Sequence, residues 1–190
     1  MPEDIQEIGR QGAAMLKRWL EATTYIELPF DAYNNKIDCM VETFGGQKQF
    51  DLVGYMVAGE KTPVYVESKR YTSASGQYKE FNKFLSIAYS HTAREQDKFG
   101  TNRKSSYFWV TFHPFNLENW SKLETLDHMK KALGEHTEHL GGHAIDDDLA
   151  AQVSSRIAVL VFNPKQESWT LTRAELELIR PTLARKVATL

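Results

Sequence analysis

Two stretches in the first half of the chain show the apolar pattern of neighbouring β-strands. Residues 49–57 and 63–70 are rich in Val, Tyr, Phe and Met, and residues 58–61 between them have the composition of a turn. Pro63 opens the second stretch, where a strand tolerates the loss of an N–H group. The pattern therefore predicts an antiparallel hairpin.

Charged residues interrupt both apolar stretches near one end of the predicted hairpin. If the chain folds about the Gly59–Glu60 bond, Asp51 lies opposite Ser68, and a shift of one residue leaves it beside Glu67 or Lys69. Because side chains alternate along a strand, Glu67 and Lys69 share one face. The hairpin alone can therefore bring two carboxylates and an ammonium group together.

This combination of charges has a specific chemical use. Carboxylates in apolar surroundings are costly unless a cation or hydrogen bonds compensate them. Two oxygen ligands from facing strands suit Mg²⁺, which leaves its other positions to water and phosphate oxygens. A lysine beside a ligand can orient or deprotonate a water, or stabilise charge on phosphate. The pattern indicates metal-assisted phosphodiester hydrolysis, and the alternative is a weak ion pair on a solvated strand face.

The hairpin motif resembles that of the PD-(D/E)xK nuclease superfamily, which has the restriction-endonuclease-like fold. The resemblance implies that Asp51 and Glu67 are metal ligands, that the Ser68 carbonyl is a third ligand and that Lys69 is the catalytic lysine. It also implies Mg²⁺ as cofactor, with Mn²⁺ as a substitute. Phe50 stands where the family has its proline. The expected fold is α/β, with an αβββαβ core around a central mixed sheet flanked by helices.

Helices are expected on both sides of the hairpin in the order that this family shows. Residues 2–22 have mostly helical apolar spacing, and residues 75–96 have it after a Ser75–Gly76 start signal. The resemblance implies that Glu7 is a further metal ligand and Gln77 a catalytic residue. Glu7 could instead be an acid favoured by the helix dipole, and Gln77 a surface residue near a helix start.

The remaining sequence is expected to complete the sheet. Residues 105–115 and 156–164 have the pattern of strands, and residues 168–171 that of a short edge strand. Helices are expected at about 118–133 and about 173–186. The predicted order after the core is therefore a helix, a strand and a terminal helix.

Composition bounds the class of protein. The 190 residues are 42% hydrophobic and 12% aromatic, which suffices for one compact domain. The resemblance implies a single nuclease-like domain over 1–190, with its core at about 3–115 and the completion of the sheet and C-terminal helices at about 116–190. The single Cys39 excludes an intramolecular disulfide. No apolar run has the length of a membrane span, and the N-terminus lacks the features of a signal peptide. We therefore expect a cytoplasmic protein.

Charge is distributed unevenly along a chain whose formal net charge is −2. Basic residues exceed acidic ones over residues 61–104, and Arg70, Lys79 and Lys83 are candidates for contacts with a nucleic-acid backbone. Ordinary helix-surface cations are the alternative. The resemblance implies DNA as the substrate. Since so small a chain leaves little room for a separate recognition domain, we expect a homodimer or a larger complex as the assembly.

A second metal pattern lies in residues 134–148. His136, His139 and His143 have the spacing of a zinc site on one helix face, but Gly141–Gly142 interrupts such a helix. The sequence therefore favours the hairpin as the metal site.

Together these patterns predict a metal-dependent deoxyribonuclease, for which the family resemblance implies a role in restriction or phage defence. Two alternatives remain open at this point. One is a non-catalytic nucleic-acid-binding or assembly module on the same fold. The other is an RNA-directed nuclease, since no motif here reads a 2′-hydroxyl or a base edge.

Overall fold

The computed structural model describes residues 2–71, 73 and 76–183, with side chains from residue 6 onward. The strands are β1 (Ile26–Asp31), β2 (Met40–Thr43), β3 (Gly46–Gln49), β4 (Leu52–Met56), β5 (Pro63–Lys69), β6 (Ser106–Thr111) and β7 (Ile157–Val161). The α-helices are α1 (Pro2–Thr23), α2 (Gln77–Phe99), α3 (Leu126–Glu135), α4 (Asp147–Ser154) and α5 (Arg173–Ile179). None of the described helices is long and apolar enough to cross a membrane.

Five strands form one mixed sheet in the order β1-β4-β5-β6-β7. The first three pair antiparallel, whereas β5, β6 and β7 pair parallel. The parallel step from β5 to β6 needs a crossover, which α2 provides. The architecture is α/β with a central mixed sheet flanked by helices, so the predicted fold class is confirmed.

Helices cover both faces of the central strand β5, which explains its apolar sequence. Val64 and Val66 pack in a core with Leu16 of α1 on one face of the sheet. Tyr65 points to the other face and packs in a core with Phe84 of α2. Successive side chains of β5 therefore lie in different layers, on opposite faces of the sheet. The same alternation determines the face on which the charged residues at its end lie.

The helix α2 is bounded by two glycines with left-handed backbone conformations. Gly76 precedes the helix with φ 76°, and Gly100 follows it with φ 66° and donates its N–H to the Gln96 carbonyl. A left-handed residue after the last turn is a common helix end, and glycine adopts it without strain. The predicted helix at 75–96 is therefore present with shifted bounds, and Ser75 of its start signal lies outside the described residues.

The predicted strand 49–57 is wrong at its start. Its first residue, Gln49, belongs to a separate two-stranded sheet, β2–β3, and β4 begins only at Leu52. The Phe50 N–H donates to the Cys39 carbonyl at 3.0 Å instead of pairing in the central sheet. The chain therefore passes from one sheet to the other at Phe50–Asp51.

Three predictions in the second half also need correction. A 3₁₀ helix at Pro164–Trp169 replaces the first half of the predicted edge strand 168–171, and the second half forms no strand. The predicted helix 118–133 is divided into a 3₁₀ helix at Leu117–Lys122 and α3. The terminal helix ends at Ile179, shortly before Pro181, whose ring opposes continuation of a helix.

Candidate active site

The register of the β4–β5 hairpin sets the position of its charged residues. Leu52 pairs with Val66, so the preceding Asp51 lies opposite Glu67. The sequence predicted Ser68 as the partner, and the observed register lies within the stated shift of one residue. Asp51 stands in a bend directly before β4, and its N–H still donates to the Val66 carbonyl at 3.1 Å.

The Asp51 carboxylate is positioned by a hydrogen bond and by the packing of the residue before it. Its Oδ2 accepts a hydrogen bond from the Ser68 N–H at 2.7 Å. The preceding Phe50 is buried, with its ring 5.2 Å from that of Tyr65 and 6.2 Å from that of Phe84 between ring centroids. A shift of one residue in the strand register would turn every side chain to the other face of the sheet. The packing of Phe50 opposes such a shift and therefore fixes the face on which the Asp51 carboxylate lies.

Glu67 and Lys69 lie on the α2 face of β5, as their alternation with Tyr65 requires. The Lys69 Nζ is 2.6 Å from the Glu67 Oε1, and each side chain is 20% exposed. Lys69 also lies 5.3 Å from the ring centroid of Trp109 on β6, a distance at which a cation–π contact is favourable. The ammonium group is therefore held between a carboxylate and an aromatic ring.

Electrostatics at this end of β5 raise the pKa values of both acids and of the lysine. Burial and then the charge of Asp51 raise the pKa of Glu67 to about 7. Burial also raises the pKa of Asp51, against the hydrogen bond from Ser68 and the charge of Lys69. Burial alone would lower the pKa of Lys69, but the charge and hydrogen bond of Glu67 outweigh it and raise the pKa. Lys69 is thus protonated at neutral pH.

A cavity of about 160 Å³ opens beside this ion pair. Glu67, Lys69, Trp109 and Phe84 line it, together with Glu80 from the first turn of α2. The charge of Glu80 contributes to raising the pKa of Glu67. The sequence prediction missed Glu80, although its spacing from Phe84 on the helix would have placed both on one face.

Tyr33 lies on the other side of Asp51 and was also missed. Asp51 and Tyr33 line a second, more open cavity of about 490 Å³. Burial and then the charges of Asp51 and Glu67 raise the pKa of Tyr33. A Cβ at Gly9 of α1 would lie 2.6 Å from the Tyr33 hydroxyl, so this ring approaches the helix closely and would have to shift to admit a larger residue there. Tyr33 follows β1 in a turn, and no sequence motif marks it.

Gln77 is buried and hydrogen-bonded within the fold. Its Nε2 donates to the Ser73 carbonyl at 2.7 Å and to the His113 carbonyl at 3.1 Å, and its Oε1 accepts from the Thr111 hydroxyl at 2.6 Å. These contacts join the start of α2 to the end of β6. The alternative of a surface residue is wrong, and the catalytic role stays a prediction.

Glu7 is not brought together with the hairpin carboxylates. Its carboxylate accepts hydrogen bonds from Arg10 and Gln11, which lower the pKa of Glu7 to about 2. Among the residues with described side chains, no three His, Cys, Asp or Glu residues are arranged to hold a metal ion. The role of Glu7 as a ligand therefore stays a prediction without support from this arrangement.

The three predicted nucleic-acid contacts do not form one track. The Arg70 guanidinium lies against α1, where Nη1 donates to Gln11 Oε1 at 3.1 Å and to the Ile8 carbonyl at 3.4 Å. Lys79 is exposed on α2, whereas Lys83 lines the cavity beside Glu67 and Lys69. Arg70 and Lys83 thus belong to opposite faces of the sheet.

The three histidines of the alternative zinc pattern do not share a metal site. His136 Nδ1 contacts Glu138 Oε1 at 3.1 Å, and the His143 ring stacks on Phe44 at 3.8 Å between centroids. His139 is buried with its ring 6.5 Å from that of His136. Stacking and burial account for these side chains.

The oxygen atoms at the end of β5 fit a hard divalent cation. In the described part of the chain, hydrogen bonds and ion pairs engage one oxygen of the Asp51 carboxylate and one of the Glu67 carboxylate. The second oxygen of each remains for a ligand, and the Ser68 carbonyl is the third candidate. Burial raises the pKa of both acids, so a cation would relieve the cost of their charge. This donor set suits Mg²⁺.

Comparisons with known proteins give structural similarity only. No protein-family model matches the chain, and no curated protein matches it significantly. A Cap4 SAVED/CARF-domain containing receptor from Moraxella osloensis is similar at 12% identity and a TM-score of 0.37, over 95% of this chain and 38% of the receptor. The Acinetobacter baumannii Cap4 receptor with the cyclic trinucleotide 2′3′3′-cAAA is similar at 16% identity and a TM-score of 0.38, over 92% and 39% respectively. Similarity this low does not transfer function, and the chain spans less than two fifths of either receptor.

Proposed function

We propose that this protein is a metal-dependent deoxyribonuclease that hydrolyses phosphodiester bonds. One observation carries the proposal: Asp51 lies opposite Glu67, which pairs with Lys69 at the end of β5, and these side chains line two open cavities. The two carboxylates come from facing strands, and each has an oxygen left for a ligand. An ion pair that served stability alone would not need a second buried carboxylate with a raised pKa beside it.

Asp51, Glu67 and the Ser68 carbonyl would hold Mg²⁺, for which Mn²⁺ can substitute. The bound ion would supply an activated water for attack on phosphorus and neutralise charge on the phosphate. The hydrogen bond from the Ser68 N–H orients Asp51, and its aromatic neighbour Phe50 anchors the backbone. The site is thereby preorganised before any substrate arrives.

Lys69 acts as a hydrogen-bond donor in this proposal. Its pKa is raised, so the ammonium group holds its proton at neutral pH and does not accept one from water. Instead it donates hydrogen bonds to the attacking water or to a phosphate oxygen, where negative charge develops. Of the roles that the sequence left open for this lysine, orientation and charge stabilisation fit the structure best.

The experiment that tests the function is a cleavage assay with purified protein. Supercoiled plasmid, linear duplex, single-stranded DNA and RNA are incubated in Mg²⁺, in Mn²⁺ or in EDTA. We expect metal-dependent cutting of DNA that is lost in Asp51→Asn and in Lys69→Ala. Lys98→Ala, which removes a lysine from an exposed ion pair with Glu42, is the matched control and should cut as the wild type does.

The outcomes separate the candidate functions. Cutting of RNA alone would identify an RNA-directed nuclease. Absence of cutting on every substrate by folded protein would favour a non-catalytic nucleic-acid-binding or assembly module. A homodimer or a place in a larger complex, and a role in restriction or phage defence, belong to the same proposal through the family resemblance. Light scattering of the pure protein measures the first of these.

A further inference from the structure

Two more lysines line the cavity beside Glu67 and Lys69. Lys48 comes from β3 and Lys83 from α2, and both are half-buried. We propose that these two ammonium groups form a subsite for a second phosphate of the strand that is cut. The inference rests on the proposed function, because it assigns the substrate contacts of the same site.

Neither lysine is neutralised by a neighbour. Among the described residues, no carboxylate oxygen lies within 4.0 Å of the ammonium group of Lys48 or Lys83. By contrast, Lys69 is paired with Glu67 in the same cavity, and Lys98 near the other end of α2 is paired with an exposed acid. Half-buried cations without a counter-ion are favourable places for an anionic ligand.

The cavity as a whole is suited to an anion. Its charged lining consists of three lysines against Glu67 and Glu80. A divalent ion held by Asp51 and Glu67 would increase the positive excess further. The cavity volume of about 160 Å³ is enough space for a phosphate group.

The hairpin that carries Lys48 is fastened to α2, which carries Lys83. The Phe44 N–H at the hairpin turn donates to the Ser90 hydroxyl of α2 at 3.0 Å. The next N–H, of Gly45, donates to the His139 carbonyl at 3.1 Å. Because these bonds fix the hairpin, the two lysines are positioned in advance and binding orders few further groups.

The two lysines that line the cavity both act on the buried His139. Burial lowers the pKa of His139, and the charges of Lys48 and Lys83 both add to that effect. Both ammonium groups therefore act on the same imidazole from separate elements. A phosphate that enters the cavity meets both of them.

Binding without cleavage tests the subsite. Fluorescence anisotropy of a short labelled single-stranded DNA is measured in EDTA at several salt concentrations. Each lost phosphate contact should reduce the slope of log K against log salt by about 0.7, so the Lys48→Gln, Lys83→Gln double variant should lose about 1.4. Lys98→Gln is the control on the same helix and should keep the wild-type slope. Lys48→Arg and Lys83→Arg, which keep the charge, should restore it.

The results separate this inference from the proposed function. An unchanged slope in the folded double variant, or no binding by the wild type, overturns the subsite. If the wild type cuts DNA but the slope is the same without the two lysines, the subsite is wrong and the proposed function stands. If the slope depends on both lysines and no substrate is cut, the phosphate subsite stands and the nuclease proposal fails.

Discussion

Two polar clusters involve the α2 face of the central sheet. The proposed catalytic cluster is Asp51, Glu67 and Lys69. The core cluster consists of His91, Thr92, Glu95, Arg103 and Tyr107. Each combines acidic and basic side chains, and each borders a cavity, of about 160 Å³ beside Glu67 and Lys69 and of about 200 Å³ beside His91, Glu95 and Arg103. The two regions are therefore alike in carrying both signs of charge next to a cavity.

The clusters differ in how their charges and hydrogen bonds are matched. The Tyr107 hydroxyl lies 2.8 Å from both His91 Nδ1 and Thr92 Oγ1, and Arg103 pairs with Glu95 at 3.2 Å. Lys98, which also lines this cavity, is paired with an acid. Around the proposed catalytic cluster, Lys48 and Lys83 have no such partner among the described residues. Perturbed pKa values occur in both regions, so unmatched charge beside a cavity is the better guide to a site.

The largest expected contrast lies in cleavage. Lys69→Met should reduce metal-dependent cleavage by about 10²–10⁴-fold, because a group that stabilises developing charge is lost. Arg103→Met, which removes a cation from the core cluster, should leave the rate per folded molecule unchanged. Initial rates in excess Mg²⁺, corrected for the folded fraction by circular dichroism, measure both. Equal losses in the two variants would remove the functional distinction between the clusters.

The second contrast is in the pH dependence of stability. The folded pKa of Glu67, about 7, lies above its ordinary 4.5, so the folded state holds more protons and the free energy of unfolding falls as pH rises between 4.5 and 7. Burial and then the charge of Arg103 lower the pKa of His91 from 6.5 to about 4, so its contribution rises with pH between 4 and 6.5. Each of the two pKa shifts changes the free energy of unfolding by about 3 kcal/mol across its pH range.

Single variants separate these opposite slopes. The wild type gains stability from Glu67 on acidification from pH 7 to 4.5, and Glu67→Gln should lack this gain. The wild type loses stability from His91 on acidification from pH 6.5 to 4, and His91→Gln should lack this loss. Urea denaturation in EDTA at several pH values measures the free energy of unfolding. Parallel curves for the wild type and both variants would show that these groups titrate alike in the folded and unfolded states.

The smallest expected effect is on the core cluster alone. Tyr107→Phe removes the hydroxyl that His91 and Thr92 share, and both groups are buried. The free energy of unfolding should fall by about 1–3 kcal/mol, the cost of leaving buried polar groups without a partner. Urea denaturation at neutral pH measures the loss, and Tyr25→Phe, at an exposed ring, is the control. A stable Tyr107→Phe protein with reduced cleavage would assign this cluster to the reaction.

The β4–β5 hairpin could be predicted because the sequence features that mark it lie within one short stretch of the chain. The turn composition of residues 58–61 and Pro63 at a strand start belong to contiguous sequence, and they set the register to within one residue. The Gly45–Gly46 pair is a comparable hairpin signal and could have revealed the turn between β2 and β3. The continuous apolar run through Phe50 hid the passage between two sheets.

Residues that reach the site across the fold were harder to predict. Tyr33 approaches Asp51 from a turn after β1, and Lys48 enters the cavity from a hairpin on α2. Their positions depend on packing against Gly9 and Ser90, which no short sequence window contains. Glu7 was predicted as a metal ligand from its position on the first helix. That position did not reveal that Arg10 would form hydrogen bonds with its carboxylate.

The burial of Phe50 bears on heat inactivation. Its ring packs with Tyr65, Phe84 and Tyr107 in the largest aromatic group of the α2 layer, and Asp51 follows it with no intervening loop. A catalytic residue on a separate loop can be displaced at temperatures at which the rest of the protein is intact. Here the carboxylate cannot leave its place until the aromatic core itself melts. Activity and fold should therefore be lost in a single step on heating.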